Sequence, residues 1–122
     1  MLETKIYDLA IEQSVLAALM TVAESYSEIE NLLTEDDFYA TRHKAIFNAV
    51  VALDAKNSPY DAVLVNNWLK SHDMSEKVGG EQYLMQILQD APSSFYNLIP
   101  YAEKLKDFTA CRKLESEAQK II

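Results

Sequence analysis

A chain of 122 residues has room for one domain with a single core, which should bury roughly two-thirds of the surface its unfolded form exposes. Hydrophobic residues at 49% exclude a disordered chain, and two glycines with three prolines are too few for the turns of a many-stranded sandwich or barrel. A net charge of −8, with no basic run longer than two residues, argues against a surface that binds phosphate backbones.

The chain reads as a series of amphipathic segments. In the first, Ile11, Val15, Leu19 and Val22 recur at helical spacing, with Asp8 just upstream as N-cap. Ser25 or Ser27 opens a shorter helix through Ile29, Leu32 and Leu33. Thr34-Glu35-Asp36-Asp37 is a cap with first-turn acids, leading to a brief turn that buries Phe38 and Tyr39. Thr41 is expected to cap a longer helix with the stripe Ile46, Phe47, Val50 and Leu53, ending before Asn57-Ser58-Pro59.

Asp61 starts the next helix, which buries Leu64, Val65, Trp68 and Leu69 and stops near His72-Asp73. Gly79-Gly80 punctuates the chain, and Tyr83, Leu84, Ile87 and Leu88 stripe a further helix that ends near Ala91-Pro92. Asn97 caps the last and longest helix. Pro100 falls in its first turn, where a missing N–H costs nothing, and Tyr101, Leu105, Phe108, Cys111, Leu114, Ala118 and Ile121 form its apolar seam. Because the pattern stops at Ile121-Ile122 without a Gly or Asn stop signal, the chain is expected to be part of a longer protein.

The expected fold is therefore all-α: a compact orthogonal bundle of about six helices, with residues 1–96 as a globular head and 97–122 as a long C-terminal helix. Residues 1–40 hold nine acids against Lys5 alone, while the remaining acids and bases cancel, so one end of the domain should project a negative field. No apolar run approaches a membrane span, and the N-terminus lacks a signal-peptide layout. One cysteine excludes an internal disulfide and fits a reducing compartment, so a cytoplasmic location is expected.

Candidate chemistry is sparse. Two adjacent glycines cannot make GxxxxGK[ST] or GxGxxG, which removes nucleotide-loop chemistry from this stretch. Glu35, Asp36 and Asp37 could be imagined as a metal cluster, but a helix start attracts acids through its exposed N–H groups, and this reading is preferred. His43 and His72 form no metal-ligand spacing, and His43 beside Ile46 and Phe47 reads as a packed or surface side chain. Cys111 reads as a small seam hydrophobe rather than a nucleophile. Phe95 and Tyr96 lie in a break beside Pro92, where they either plug the core or face a partner.

In linear order these pieces resemble the N-terminal domain of bacterial replicative DNA helicases of the DnaB family. The resemblance rests on Ile11-Glu12-Gln13-Ser14-Val15-Leu16, Glu35-Asp36-Asp37-Phe38-Tyr39, His43 with Ile46-Phe47, and Pro59 with Asp61. It continues through Gly79-Gly80 with Tyr83-Leu84, Pro92-Ser93, and Asn97 with Tyr101-Ala102. It departs at Ala17-Ala18, where the family usually has glycine, at Tyr60 in place of an aliphatic residue, and around Phe95-Tyr96, where one extra residue is present.

The resemblance implies an assembly domain whose parent carries an ATP- and magnesium-dependent motor, with no cofactor in this stretch. It implies pairing with copies of itself into a dimer and, in the parent, a hexamer. Recruitment of primase through the primase C-terminal domain is implied as well, with a helicase loader as a further partner. The last helix would be the first arm of a helical hairpin. Tyr83, Phe95, Tyr96, Cys111, Leu114, Ala118 and Ile121 are the candidate partner contacts, with neither nucleic acid nor membrane bound directly. A stand-alone adaptor or decoy acting on a replisome component is the alternative reading.

Overall fold

The structure, a computed structural model, describes residues 6–91 and 97–120, with side chains described as far as Ala118. Among these residues it is all-α. The helices are α1 (Leu9–Thr21), α2 (Thr41–Ala55), α3 (Ala62–Ser71), α4 (Ser75–Val78), α5 (Gly80–Asp90) and α6 (Leu98–Lys120). Two 3-10 turns, Ser25–Glu28 and Glu35–Asp37, lie between α1 and α2.

α1 is the axis of the bundle. Every residue from Ser14 to Met20 is buried, and α2, α3, α5 and α6 all pack on it. A helix buried on all sides along Ser14 to Met20 shows no amphipathic stripe there; of the expected face only Val15 and Leu19 are buried, Ile11 is half-buried and Val22 follows α1 as its C-cap. Ala17 and Ala18 lie fully inside, where small side chains let neighbouring helices approach closely. Asp8 caps the helix as expected, its carboxylate accepting from the Ala10 and Ile11 amides.

Several local expectations are corrected. The segment after Ser25 forms a 3-10 turn and successive hydrogen-bonded turns to Leu33 rather than an α-helix. Thr41 is the first residue within α2 and not its cap; Ala40 precedes the helix with no side-chain cap bond. The turn at Glu35–Asp37 buries Phe38 but leaves Tyr39 47% exposed, because both residues follow the turn in a more extended backbone whose side chains diverge. The short helix α4 was not anticipated, since four residues carry no periodic signal.

The start of α3 and the break between α4 and α5 follow the sequence. Asp61 caps α3 through the Leu64 amide, and Gly79, at φ +106°, ends α4 and leads directly into α5. Phe38 and Phe47 meet at the core with ring centroids 4.9 Å apart, an aromatic pair that adds about 0.5–1.5 kcal/mol beyond its area burial. Tyr60 is buried by using its polar end: its hydroxyl accepts the Tyr26 amide at 2.8 Å. This bond ties the α2–α3 connection to the first 3-10 turn.

Candidate partner-binding surfaces

Two regions gather the residues singled out by the sequence: the surface around Tyr83 and the free half of α6.

Tyr83 lies on the first turns of α5, directly above Gly79, whose missing side chain lets the Tyr83 Cβ approach closely. Its half-buried ring points back toward α1 and α2. There its hydroxyl meets His43 Nε2 at 2.6 Å and accepts from Gln13 Nε2 at 3.1 Å. On the other side of the imidazole, Nδ1 lies 2.7 Å from Glu12 Oε1. Glu12, 0% exposed, also accepts the amides of Tyr39 at 2.7 Å and Ala40 at 3.4 Å.

Donor and acceptor matching orients this chain. An ionised Glu12 requires a proton on Nδ1, Nε2 then accepts the Tyr83 hydroxyl proton, and the phenol oxygen accepts from Gln13. All three side chains are thereby satisfied. Buried polar groups that are fully paired specify one arrangement of their helices, and this network joins α1, α2 and α5. The Arg42 guanidinium lies over the Tyr83 ring, 4.6 Å from its centroid. The half-buried Tyr83 ring thus lies against Arg42, while its hydroxyl is engaged inside.

The sequence singles out Tyr83 only as a candidate partner contact, and it assigns no role to Glu12 or to the bond between Tyr83 and His43. A glutamate among Ile11, Val15 and Leu19 is read locally as a surface acid, and its pairing donors come from distant segments. The acids of residues 1–40 require a related correction. Glu12 and Asp37 are both buried, so the surface field comes from the outer acids such as Glu24, Glu28, Glu30, Glu35 and Asp36.

Asp37 accepts from the Thr34 amide at 2.8 Å, the Thr109 hydroxyl at 2.6 Å and the Lys106 ammonium at 3.4 Å. The carboxylate therefore closes its own turn and anchors α6 to it. The expectation that Glu35-Asp36-Asp37 is a structural helix start fits this role. Among the described residues no cluster of His, Cys, Asp and Glu could hold a metal ion. A cleft of about 540 Å³ between the end of α1 and the α2–α3 connection is lined by Met20, Glu24, Asp54 and Tyr60.

On α6, Leu98, Ala102, Leu105 and Phe108 are buried, whereas Cys111 is half-buried. Leu114 is 67% exposed and Ala118 is exposed as well. The seam predicted through Cys111, Leu114 and Ala118 therefore leaves the core and faces outward. Phe95, Tyr96 and Ile121, with Pro92 to Ser94, lie outside the described residues. No helix is long and apolar enough to cross a membrane among the residues described.

The described residues thus form an all-helical bundle with a buried polar network and a helix that projects from it. The DnaB-like helicase N terminal domain family matches residues 4–107, and the chain belongs to this family. It is 32% identical over 110 residues to the replicative DNA helicase DnaB of Pasteurella multocida, covering 90% of this chain and 23% of that protein. To the replicative DNA helicase DnaC of Bacillus subtilis it is 33% identical over 103 residues, covering 84% of this chain and 22% of the relative. The chain thus spans about a quarter of the length of these helicases.

Its fold matches the N-terminal domain of the Mycobacterium tuberculosis DnaB helicase with a TM-score of 0.91 at 26% identity, over 97% of this chain and 84% of that one. The N-terminal domain of the Helicobacter pylori DnaB helicase, described together with its interactions with primase, shares the fold with a TM-score of 0.77. That match has 24% identity and covers 92% and 86% of the two chains.

Proposed function

We propose that this chain is the N-terminal collar domain of a hexameric replicative DNA helicase, supporting ring assembly and recruiting primase through the primase C-terminal domain. The observation that carries this reading is the outward half of α6, where Leu114, 67% exposed, and Ala118 continue at helical spacing beyond the point where the helix leaves the core. An apolar face at this spacing is suited to a second helix, whether the other arm of a hairpin or a second copy of the chain. Primase is the proposed partner because the H. pylori relative of the same fold is described interacting with it.

ATP and magnesium belong in this reading to a motor elsewhere in the parent helicase, which would work in the cytoplasm. A helicase loader is a further partner. Sedimentation of the chain with and without a primase C-terminal domain tests the proposal. Self-association that is lost in Leu114→Glu, together with a defined complex with primase, is the expected result. A monomer that ignores primase at every concentration would overturn it.

A further inference from the structure

α6 parts from the body of the domain at Arg112. Phe108 and Thr109 are buried, Cys111 and Arg112 are half-buried, and Lys113 to Ala118 are exposed. The apolar packing of Leu98, Ala102, Leu105 and Phe108 sets the axis of the inner half of α6 but ends at Phe108, so the turns beyond it are held by polar contacts alone.

A polar ladder supplies direction. Lys106, Thr109 and Arg112 recur every three residues and therefore share a face of α6. Lys106 and Thr109 reach the buried Asp37. Arg112 donates from Nη1 to the Ile6 carbonyl at 2.8 Å and from Nη2 to the Asp36 carbonyl at 2.9 Å, with Nη2 also 3.2 Å from the Thr109 hydroxyl oxygen. One guanidinium therefore joins three parts of the chain: the segment before α1, the second 3-10 turn and α6. The same group lies 5.9 Å from the centroid of the Tyr39 ring, which stacks on Tyr7 at 4.0 Å and 6°. The segment before α1 thus bears on the same point through both its backbone and a ring.

We propose that Arg112 is a positioning residue that sets the direction in which the free half of α6 leaves the domain. Lys106 is about half exposed, so its ion pair is screened and contributes little direction. Thr109 is buried below the point of departure. Arg112 is the last rung, and its planar fork holds two carbonyls at a fixed angle, which a lysine ammonium on a flexible stem does not do. The consequence for assembly rests on the reading of α6 as an assembly arm; the clasp itself does not.

The test is a distance distribution between spin labels at Lys70→Cys and Ala118→Cys, in a Cys111→Ala background diluted with unlabelled chain. The parent is expected to give a narrow distribution. Arg112→Ala and Arg112→Lys should each broaden it about twofold while circular dichroism remains helical, because both lose the fixed fork. If Arg112→Ala does not fold, Arg112→Lys carries the test. A distribution as narrow as the parent's in the folded variants overturns the proposal, whatever their state of association. Leu114→Glu leaves the clasp intact, so lost self-association with an unchanged distribution reads the assembly function separately.

Discussion

Glu12 and His43, 31 residues apart, meet inside the domain with Oε1 and Nδ1 separated by 2.7 Å, the carboxylate fully buried and the imidazole 1% exposed. The carboxylate has no solvent to fall back on, and it also serves the amides of Tyr39 and Ala40. Removing it in Glu12→Ala strands the buried His43 Nδ1–H and takes the acceptor from the part-buried Tyr39 and Ala40 amides, so a loss of about 1–3 kcal/mol is expected, the cost of an unsatisfied buried donor. Glu12→Gln keeps one accepting oxygen but turns an NH₂ toward the remaining donors, and it should fall between the parent and the alanine variant. Urea unfolding of the three proteins checks the order.

Tyr83→Phe separates the inner role of this residue from an outer one. The ring stays over Gly79 and beneath Arg42, while His43 Nε2 and Gln13 Nε2 each lose a partner. A loss of about 1–3 kcal/mol in urea unfolding is expected, the cost of unsatisfied buried groups. Binding of primase per folded molecule should be unchanged, whereas Tyr83→Ala, which removes the ring, should weaken it. Equal binding by a folded Tyr83→Ala protein would remove Tyr83 from the partner surface.

The adjacent glycines are expected to differ. Gly79 has φ +106°, and a Cβ there would meet the Tyr83 Cβ at 3.1 Å; Gly80 has φ +72° and nothing within 4 Å of such an atom. Both alanine variants carry the left-handed penalty of roughly 1–2 kcal/mol, and Gly79→Ala adds a steric one. Thermal unfolding should place Gly79→Ala below Gly80→Ala.

Tyr26 makes stability sensitive to alkali. Its hydroxyl is held above the ordinary tyrosine value of 10.0, first by desolvation and then by the negative charges of Glu30 and Asp54, with a smaller effect from Tyr60. Since the folded state keeps this proton more tightly than the unfolded state does, the stabilisation is complete below pH 10 and declines as pH rises through the folded value. Tyr26→Phe should flatten that part of the stability–pH curve relative to the parent. Parallel curves for the two proteins above pH 10 would contradict this.

The helical class, the family and most helix starts followed from the sequence by itself, because caps and stops are local. Asp8 needs only the two amides that follow it, and Gly79 needs only its own freedom at positive φ. Periodicity also located the centres of the buried faces of α2, α3 and α5, at Ile46, Phe47 and Val50, at Val65 and Leu69, and at Leu84 and Ile87, whereas Leu53, Leu64 and Trp68 are only half-buried.

What periodicity could not decide was how segments far apart meet. Glu12 lies in the first turn of α1 beside exposed Leu9 and Ala10, so nothing local puts it inside, and only the packing of α2 and α5 brings His43 and Tyr83 to enclose and satisfy it. Tyr60 is inside because the Tyr26 amide lies within reach of its hydroxyl. Arg112, one base among many along the chain, acquires its position only where the Ile6 and Asp36 carbonyls converge on α6. Local propensity acts over one helical turn, whereas the pairing of a buried polar group is settled wherever tertiary folding places its partner.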